Sequence, residues 1–116
     1  MTAGVYDITC EQGATFRRVF TWLDENEQPI NLTGCSARMQ VRPTHKSTTK
    51  WIDITSATSA IVLGGALGTI TVVQSAAVTA LLPVNRGVYD IEVVFASGVV
   101  ERILEGTFNV TPEVTR

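Results

Sequence analysis

The sequence predicts an all-β protein, either an antiparallel β-sandwich or a partly closed barrel, with about seven to nine short strands and one short helix. Several short runs alternate between apolar and polar residues, as half-buried strands do. Glycine, proline and acidic residues cluster between these runs, where they indicate turns. Only one stretch, after Ser75, has the features of a helix.

The first quarter of the chain predicts two strands. Residues 5–9 alternate weakly and predict a short first strand. Residues 14–23 predict a second strand with large apolar side chains on both faces, so we expect both faces to be partly covered. A polar turn at residues 24–29 follows, because carboxylates and amides stabilise tight turns and Pro29 cannot donate to a strand ladder.

The strictest alternation lies in residues 35–42 and predicts a strand with one buried face. The residues predicted to face the core are Cys35, Ala37, Met39 and Val41. The residues predicted to face outward are Ser36, Arg38, Gln40 and Arg42. The outward face therefore meets solvent or a partner.

The middle of the chain predicts three more strands and the helix. A polar loop precedes a short strand at residues 51–54. Residues 61–63 and 69–73 form a hairpin around a glycine-rich turn. Ser75 then caps a helix of one or two turns over residues 76–81, which Pro83 ends.

A β-hairpin is predicted at residues 87–105, with its turn at Ser97-Gly98. A two-residue loop would pair Phe95 with Val100, whereas a three-residue loop would pair Glu92 with Arg102 and Ile91 with Ile103. We favour the second register, because it forms a cross-strand ion pair. A separate final strand at residues 107–110 completes one β-sandwich domain at residues 1–111. Residues 112–116 form a C-terminal arm.

Composition limits the class of protein. The chain has 116 residues, which suits one domain. Only 17% of the residues are charged, against about 25% in a typical soluble domain, so we expect part of the surface to be shared with other subunits. A net charge of −2 argues against nonspecific nucleic-acid binding.

The start resembles no signal peptide, and the longest apolar run is too short for a membrane helix, so no membrane insertion is expected. Cys10 and Cys35 are expected to be free, buried thiols.

No pattern indicates catalysis, and we expect a protein that is not an enzyme. His45 is the only histidine and lies in a basic loop without a nearby carboxylate, so we expect it to be exposed to solvent. Two cysteines and one histidine cannot supply a usual zinc site, and the acidic turn lacks the ligand pattern of a calcium loop. The sequence therefore predicts no catalytic residue, no cofactor and no metal.

Five segments together resemble a family of small bacteriophage structural proteins that is similar to the N-terminal domain of phage baseplate upper proteins. The segments are Gln12-Gly13-Ala14-Thr15-Phe16, Gln28-Pro29-Ile30-Asn31-Leu32-Thr33-Gly34, Ala37-Arg38-Met39-Gln40-Val41-Arg42, Tyr89-Asp90-Ile91-Glu92 and Gly106-Thr107-Phe108-Asn109-Val110. The resemblance implies an immunoglobulin-like β-sandwich in the virion. Because the start does not resemble a signal peptide, the protein is expected to remain in the host cytoplasm before assembly. It covers almost the whole chain, without the receptor-binding or coiled-coil region of the long baseplate proteins.

Two assemblies fit such a domain. The first is a tail, neck or baseplate accessory that joins other virion proteins, and the resemblance favours it. The second is a capsid decoration protein that bridges neighbouring shell subunits. In both, the protein forms a homo-oligomer in the particle. A carbohydrate-binding module is a third interpretation that requires exposed Trp22 and Trp51, whereas core aromatic residues are expected.

The predicted partner interface follows from the outward face of the strand at residues 35–42 and from the C-terminal arm. Its residues are Arg38, Gln40, Arg42, Pro112, Glu113, Val114, Thr115 and Arg116.

Overall fold

Two β-sheets face each other in the computed structural model, which describes residues 3–115. The strands of the larger sheet are β1 (Gly4–Val5), β2 (Ile8–Glu11), β4 (Ser36–Arg42), β5 (Ile52–Thr55), β8 (Arg86–Val94) and β9 (Val100–Thr111). The strands of the smaller sheet are β3 (Phe16–Thr21), β6 (Ile61–Leu63) and β7 (Thr69–Gln74). This arrangement confirms the predicted all-β sandwich.

The strand order places β8 and β4 in the middle of the larger sheet. The order is β1-β9-β8-β4-β5, and β2 also pairs with β9. The smaller sheet has the order β3-β7-β6. Pairing is antiparallel except for β1 and β2, which run parallel to β9.

The core fills the space between the two sheets. On β4 the predicted alternation is confirmed, because Ala37, Met39 and Val41 are buried between more exposed neighbours. From the smaller sheet, Ile70 and Val72 of β7 are also buried in the core. Other fully buried side chains include Ile8, Leu32, Ile61, Ile91, Val93 and Phe108. Burial of these residues is the main stabilising contribution to the fold.

The short connections also agree with the sequence. The glycine-rich turn between β6 and β7 is a 3-10 helix at Gly65–Leu67. Helix α1 spans Ala76–Thr79, and the Ser75 hydroxyl accepts a hydrogen bond from the Val78 backbone N–H, which confirms the predicted cap. None of the helices in residues 3–115 is long and apolar enough to cross a membrane.

The hairpin of β8 and β9 has the favoured three-residue loop, and Gly98 adopts φ +91° there. Glu92 pairs with Arg102 as predicted, but Ile91 pairs with Leu104, so the predicted pairing with Ile103 is wrong. A β-bulge at Ile103 causes the shift. Because one inserted residue exchanges the two faces of a strand, the bulge turns the following apolar residues of β9 toward the core.

Two further predictions need correction. The predicted final strand at residues 107–110 is the second half of β9, which runs unbroken to Thr111. The strand predicted at residues 14–23 is shorter, and its outward face is open, since 47% of Val19 is exposed. Within residues 3–115 one edge of β3 is also unpaired, because both N-terminal strands join the larger sheet instead of lying beside β3.

Candidate protein-contact surface

The outward side of the larger sheet, which we call the outer face, presents polar and charged side chains from four neighbouring strands. Strand β4 contributes the three predicted residues, Arg38, Gln40 and Arg42. Cross-strand register places Asp53 of β5 and Val88, Asp90 and Glu92 of β8 on the same side, followed by Arg102 and Glu105 of β9. Their side chains share this face because successive residues of a strand point to opposite sides.

Ion pairs organise one half of the outer face. Arg38 Nε lies 2.7 Å from Glu92 Oε1, across the β4–β8 pair. Arg102 lies 3.4 Å from Asp90 and 3.6 Å from Glu105. The ion pair expected between Glu92 and Arg102 is therefore replaced, because Arg38 lies closer to Glu92 on the neighbouring strand.

Hydrogen bonds organise the other half. Arg42 donates to Gln40 Oε1 from Nε and Nη2, at 3.2 and 2.9 Å. A third bond, from Arg42 Nη1 to the Ser47 carbonyl oxygen at 2.6 Å, ties the loop after β4 to the sheet. Gln40 in turn donates to Asp53 Oδ1 at 3.2 Å. The predicted residues are thus held in fixed positions by their neighbours.

A shallow cavity of about 130 Å³ lies within the outer face. Its lining residues are Gln40, Arg42, His45, Val88, Tyr89, Asp90, Arg102 and Glu105. Burial raises the pKa of Asp90, and the nearby Glu92 carboxylate raises it further, while Arg102 acts in the opposite direction. His45 is exposed at the rim, as the sequence predicts.

The side chains of the outer face can form ion pairs and hydrogen bonds with another molecule. It presents charges of both signs together with amide donors and acceptors, which suits a polar protein surface with complementary charges. Within residues 3–115, no group of three or more histidine, cysteine, aspartate or glutamate side chains is arranged to hold a metal ion. Both cysteines are free; Cys10 is buried, and Cys35 is only partly buried.

The C-terminal arm lies apart from the outer face. The Glu113 backbone N–H donates to Gln12 Oε1 at 3.4 Å, and Val114 is 91% exposed. Among residues 112–115, no hydrogen bond reaches Arg38, Gln40 or Arg42. Arg116 lies outside the described residues. The predicted interface residues therefore form two separate surfaces.

The structure also contains an apolar groove that sequence reasoning missed. It has a volume of about 320 Å³ and opens between β3 and β9. Its lining residues are Tyr6, Arg18, Val19, Phe20, Thr21, Trp22, Ile70, Ile103 and Leu104. The aromatic residues of the β3 segment were the available signal, but they were assigned to a strand covered on both faces. Trp22 and Trp51 are partly buried and pack against the core.

Comparisons with known proteins show the fold class. No protein-family model matches the chain, and no curated protein matches it significantly. Among solved structures, 107 chains match. One comes from a structure-based, site-directed photo-crosslinking study of multimeric cell-adhesive interactions of VGSC beta subunits. It is 14% identical, with a TM-score of 0.54, and the match covers 96% of each chain. The chain is therefore an immunoglobulin-like β-sandwich, as predicted.

Proposed function

We propose that this protein is a non-enzymatic structural component of a bacteriophage particle, a small tail, neck or baseplate accessory that acts through protein contacts. The observation that carries the proposal is the outer face, where Arg38, Gln40 and Arg42 are held in place beside acidic residues of the adjacent strands. A preordered set of polar groups loses little conformational entropy on binding, which favours its use as a contact surface.

The phage context is supported by the resemblance of the sequence to the baseplate upper protein family. All five resembling segments contribute residues to the buried core, and three of them serve as examples. Leu32 is buried, and its backbone N–H donates to the Gly65 carbonyl oxygen at 2.9 Å. Tyr89 and Ile91 face the core. Phe108 of β9 is also buried and lies opposite Gly87 of β8. These positions agree with the immunoglobulin-like domain that the resemblance implies.

Oligomeric assembly is supported by the same fold in another setting. The similar solved structure concerns multimeric cell-adhesive interactions of VGSC beta subunits. A similar β-sandwich therefore occurs in a protein with multimeric interactions, and we propose a homo-oligomer for this chain in the virion. Its partners would be other virion proteins, and its location before assembly would be the host cytoplasm.

The energetics of the outer face suit an assembly contact. The Arg38 side chain is 52% exposed and its partner Glu92 is 26% exposed, so their ion pair contributes at most about 1 kcal/mol to folding. Because Arg38 and Glu92 contribute little to folding, they can form ion pairs with a partner protein at little cost to stability. Complementary charge on that partner would fix its orientation and exclude unsuitable surfaces.

The location of the protein in purified phage particles tests this proposal. Particles would be grown with a chain that carries a small C-terminal label, and the label would be located by image reconstruction. Label on the tail, neck or baseplate is the expected result. Regular label over the shell would instead identify a capsid decoration protein, and particles without any label would overturn both assignments.

A further inference from the structure

Strand β3 is an edge of the smaller sheet within the described residues. Both N-terminal strands pair with β9, and β3 pairs only with β7. An edge strand exposes unpaired backbone N–H and C=O groups that can bind another strand. The open side of the sandwich is therefore a site where backbone pairing is still available.

The direction of the free groups follows from two hydrogen bonds. The Trp22 N–H donates to the Gly68 carbonyl oxygen at 2.8 Å, which continues the β3–β7 ladder. The Gly64 N–H donates to the Thr69 carbonyl oxygen at 2.8 Å. The backbone N–H and C=O groups of Thr69 therefore point toward β6 and not toward β3. Since bonding alternates along an antiparallel strand, Arg17, Val19 and Thr21 direct their N–H and C=O groups away from β7.

The apolar groove lies directly beside this edge. Phe20 and Trp22 line one wall, and Ile103 and Leu104 of β9 line the other. Its rim is also apolar, because Tyr6 is 43% exposed and Val19 is 47% exposed. A strand added to β3 would place every second side chain in this groove, and burial of apolar side chains there is favourable.

Two arginines give the edge a positive charge. Arg17 and Arg18 make no ion pair within residues 3–115. Arg18 instead donates from Nη2 to the Thr9 carbonyl oxygen at 2.9 Å, and its guanidinium lies 4.7 Å from the centre of the Phe16 ring. An acidic strand complements these charges, whereas β3 of a second copy carries two arginines and no acidic residue.

We propose that the β3 edge and its groove bind an extended segment of a partner protein in which apolar and acidic residues alternate. The segment adds to the smaller sheet as a strand, its apolar side chains enter the groove, and its acidic side chains lie beside Arg17. This site is distinct from the outer face and gives the protein a second contact on the other sheet.

A fusion protein tests the proposal. An eight-residue segment alternating valine and glutamate is joined to the N-terminus of the full chain through ten glycine and serine residues, which span roughly 17 Å. The tether gives the segment an effective concentration of about 1 mM or more. We expect the melting temperature to rise by at least about 4 °C over a fusion carrying only glycine and serine. The backbone amides of Arg17, Val19 and Thr21 should gain protection from hydrogen exchange.

Two variants identify the binding mode. Val19→Pro removes an N–H that points to the free edge and leaves the β3–β7 ladder intact. It should therefore abolish the rise in melting temperature that the valine–glutamate segment causes. In the Arg17→Glu variant, a segment alternating valine and lysine should raise the melting temperature more than the valine–glutamate segment does. If Val19→Pro does not fold, this reversal between the two segments tests the proposal by itself.

Several results would overturn the proposal. They are an equal melting temperature for the valine–glutamate and glycine–serine fusions, equal gains with glutamate and lysine, and a gain that persists in folded Val19→Pro. Protection of these amides in the unfused protein that grows with protein concentration would assign the edge to a second copy instead. Because no phage particle is involved, the outcome is independent of the proposed function.

Discussion

The Tyr89 hydroxyl donates a hydrogen bond to the backbone carbonyl oxygen of Tyr6, and this bond ties the N-terminal segment to the larger sheet. Tyr89 is only 4% exposed, so the bond lies at the edge of the core. The Tyr6 ring meets the Phe20 ring edge to face, with 5.6 Å between their centres. Tyr6 thus fixes the N-terminal strands on one sheet while its ring forms part of the groove beside the other.

Loss of the Tyr89 hydroxyl should destabilise the fold. Tyr89→Phe leaves the Tyr6 carbonyl oxygen without its donor, and we expect the free energy of unfolding to fall by about 1–2 kcal/mol in urea denaturation. Tyr6→Phe is the matched control, since the Tyr6 hydroxyl makes no hydrogen bond within residues 3–115. Equal effects of the two variants would show that the Tyr89 bond contributes nothing.

Alkaline pH should weaken the fold through the same residue. Burial raises the pKa of Tyr89 above its usual value, so the folded state holds the phenol proton more tightly than the unfolded state does. This contribution is complete below the unfolded pKa of about 10 and is lost as pH rises above it. Urea denaturation between pH 9 and about 11 should show a steeper loss of stability in the native protein than in Tyr89→Phe. Parallel losses would contradict this.

A side chain at position 106 should displace the N-terminal segment. Gly106 lies opposite Tyr89, and an added Cβ would clash with the carbonyl oxygen of Tyr6. Gly106→Ala should therefore cost about 2–3 kcal/mol. Gly98→Ala is the comparison, because Gly98 has φ +91° but no neighbour within 4 Å, and it should cost only about 1 kcal/mol. A smaller loss for Gly106→Ala than for Gly98→Ala would argue against close contact at Tyr6.

The carboxylate of Asp90 should destabilise the outer face at neutral pH. Burial and the neighbouring carboxylates of Glu92 and Glu105 raise its pKa, although Arg102 and His45 act in the opposite direction. Its stabilising contribution is therefore present at low pH and is lost as pH rises through the folded pKa. Asp90→Asn should be more stable than the native protein at pH 7, and the difference should shrink below about pH 4 in thermal melts. A variant that is less stable at pH 7 would show that the pairing with Arg102 prevails.

Strand faces could be predicted from the sequence wherever one side of a strand is buried. The alternation of β4 gave the correct core positions, Ala37, Met39 and Val41, because a period of two leaves one arrangement that buries them. The three-residue loop of the β8–β9 hairpin was favoured because it aligns Glu92 with Arg102, and that alignment is observed although Glu92 forms its ion pair with Arg38.

Long-range choices could not be read from local patterns. The bulge at Ile103 depends on how β9 meets the opposite sheet, so the pairing of Ile91 with Leu104 was missed. The parallel pairing of the N-terminal strands with β9 is also nonlocal, and the groove beside β3 exists only because of it. Of the candidate interface, the outward direction of Arg38 and Arg42 was predictable. Their contacts with Glu92 and Ser47 were not, since these partners are fixed by the strand order and by the loop.

Incorporation of a charge-reversed variant into particles tests the proposed function most directly. Arg38→Glu combined with Arg42→Glu changes two cations of the outer face. The matched control combines Lys46→Glu with Ala57→Glu and Ala96→Glu, which changes the net charge by the same amount at three exposed residues outside the outer face. Both proteins should give cooperative thermal melts when isolated. The amount of each in purified particles is then measured by quantitative mass spectrometry. We predict that the control is incorporated normally and that the Arg38 and Arg42 variant is absent. Normal incorporation of a folded Arg38 and Arg42 variant would contradict the proposal that the outer face is the assembly contact.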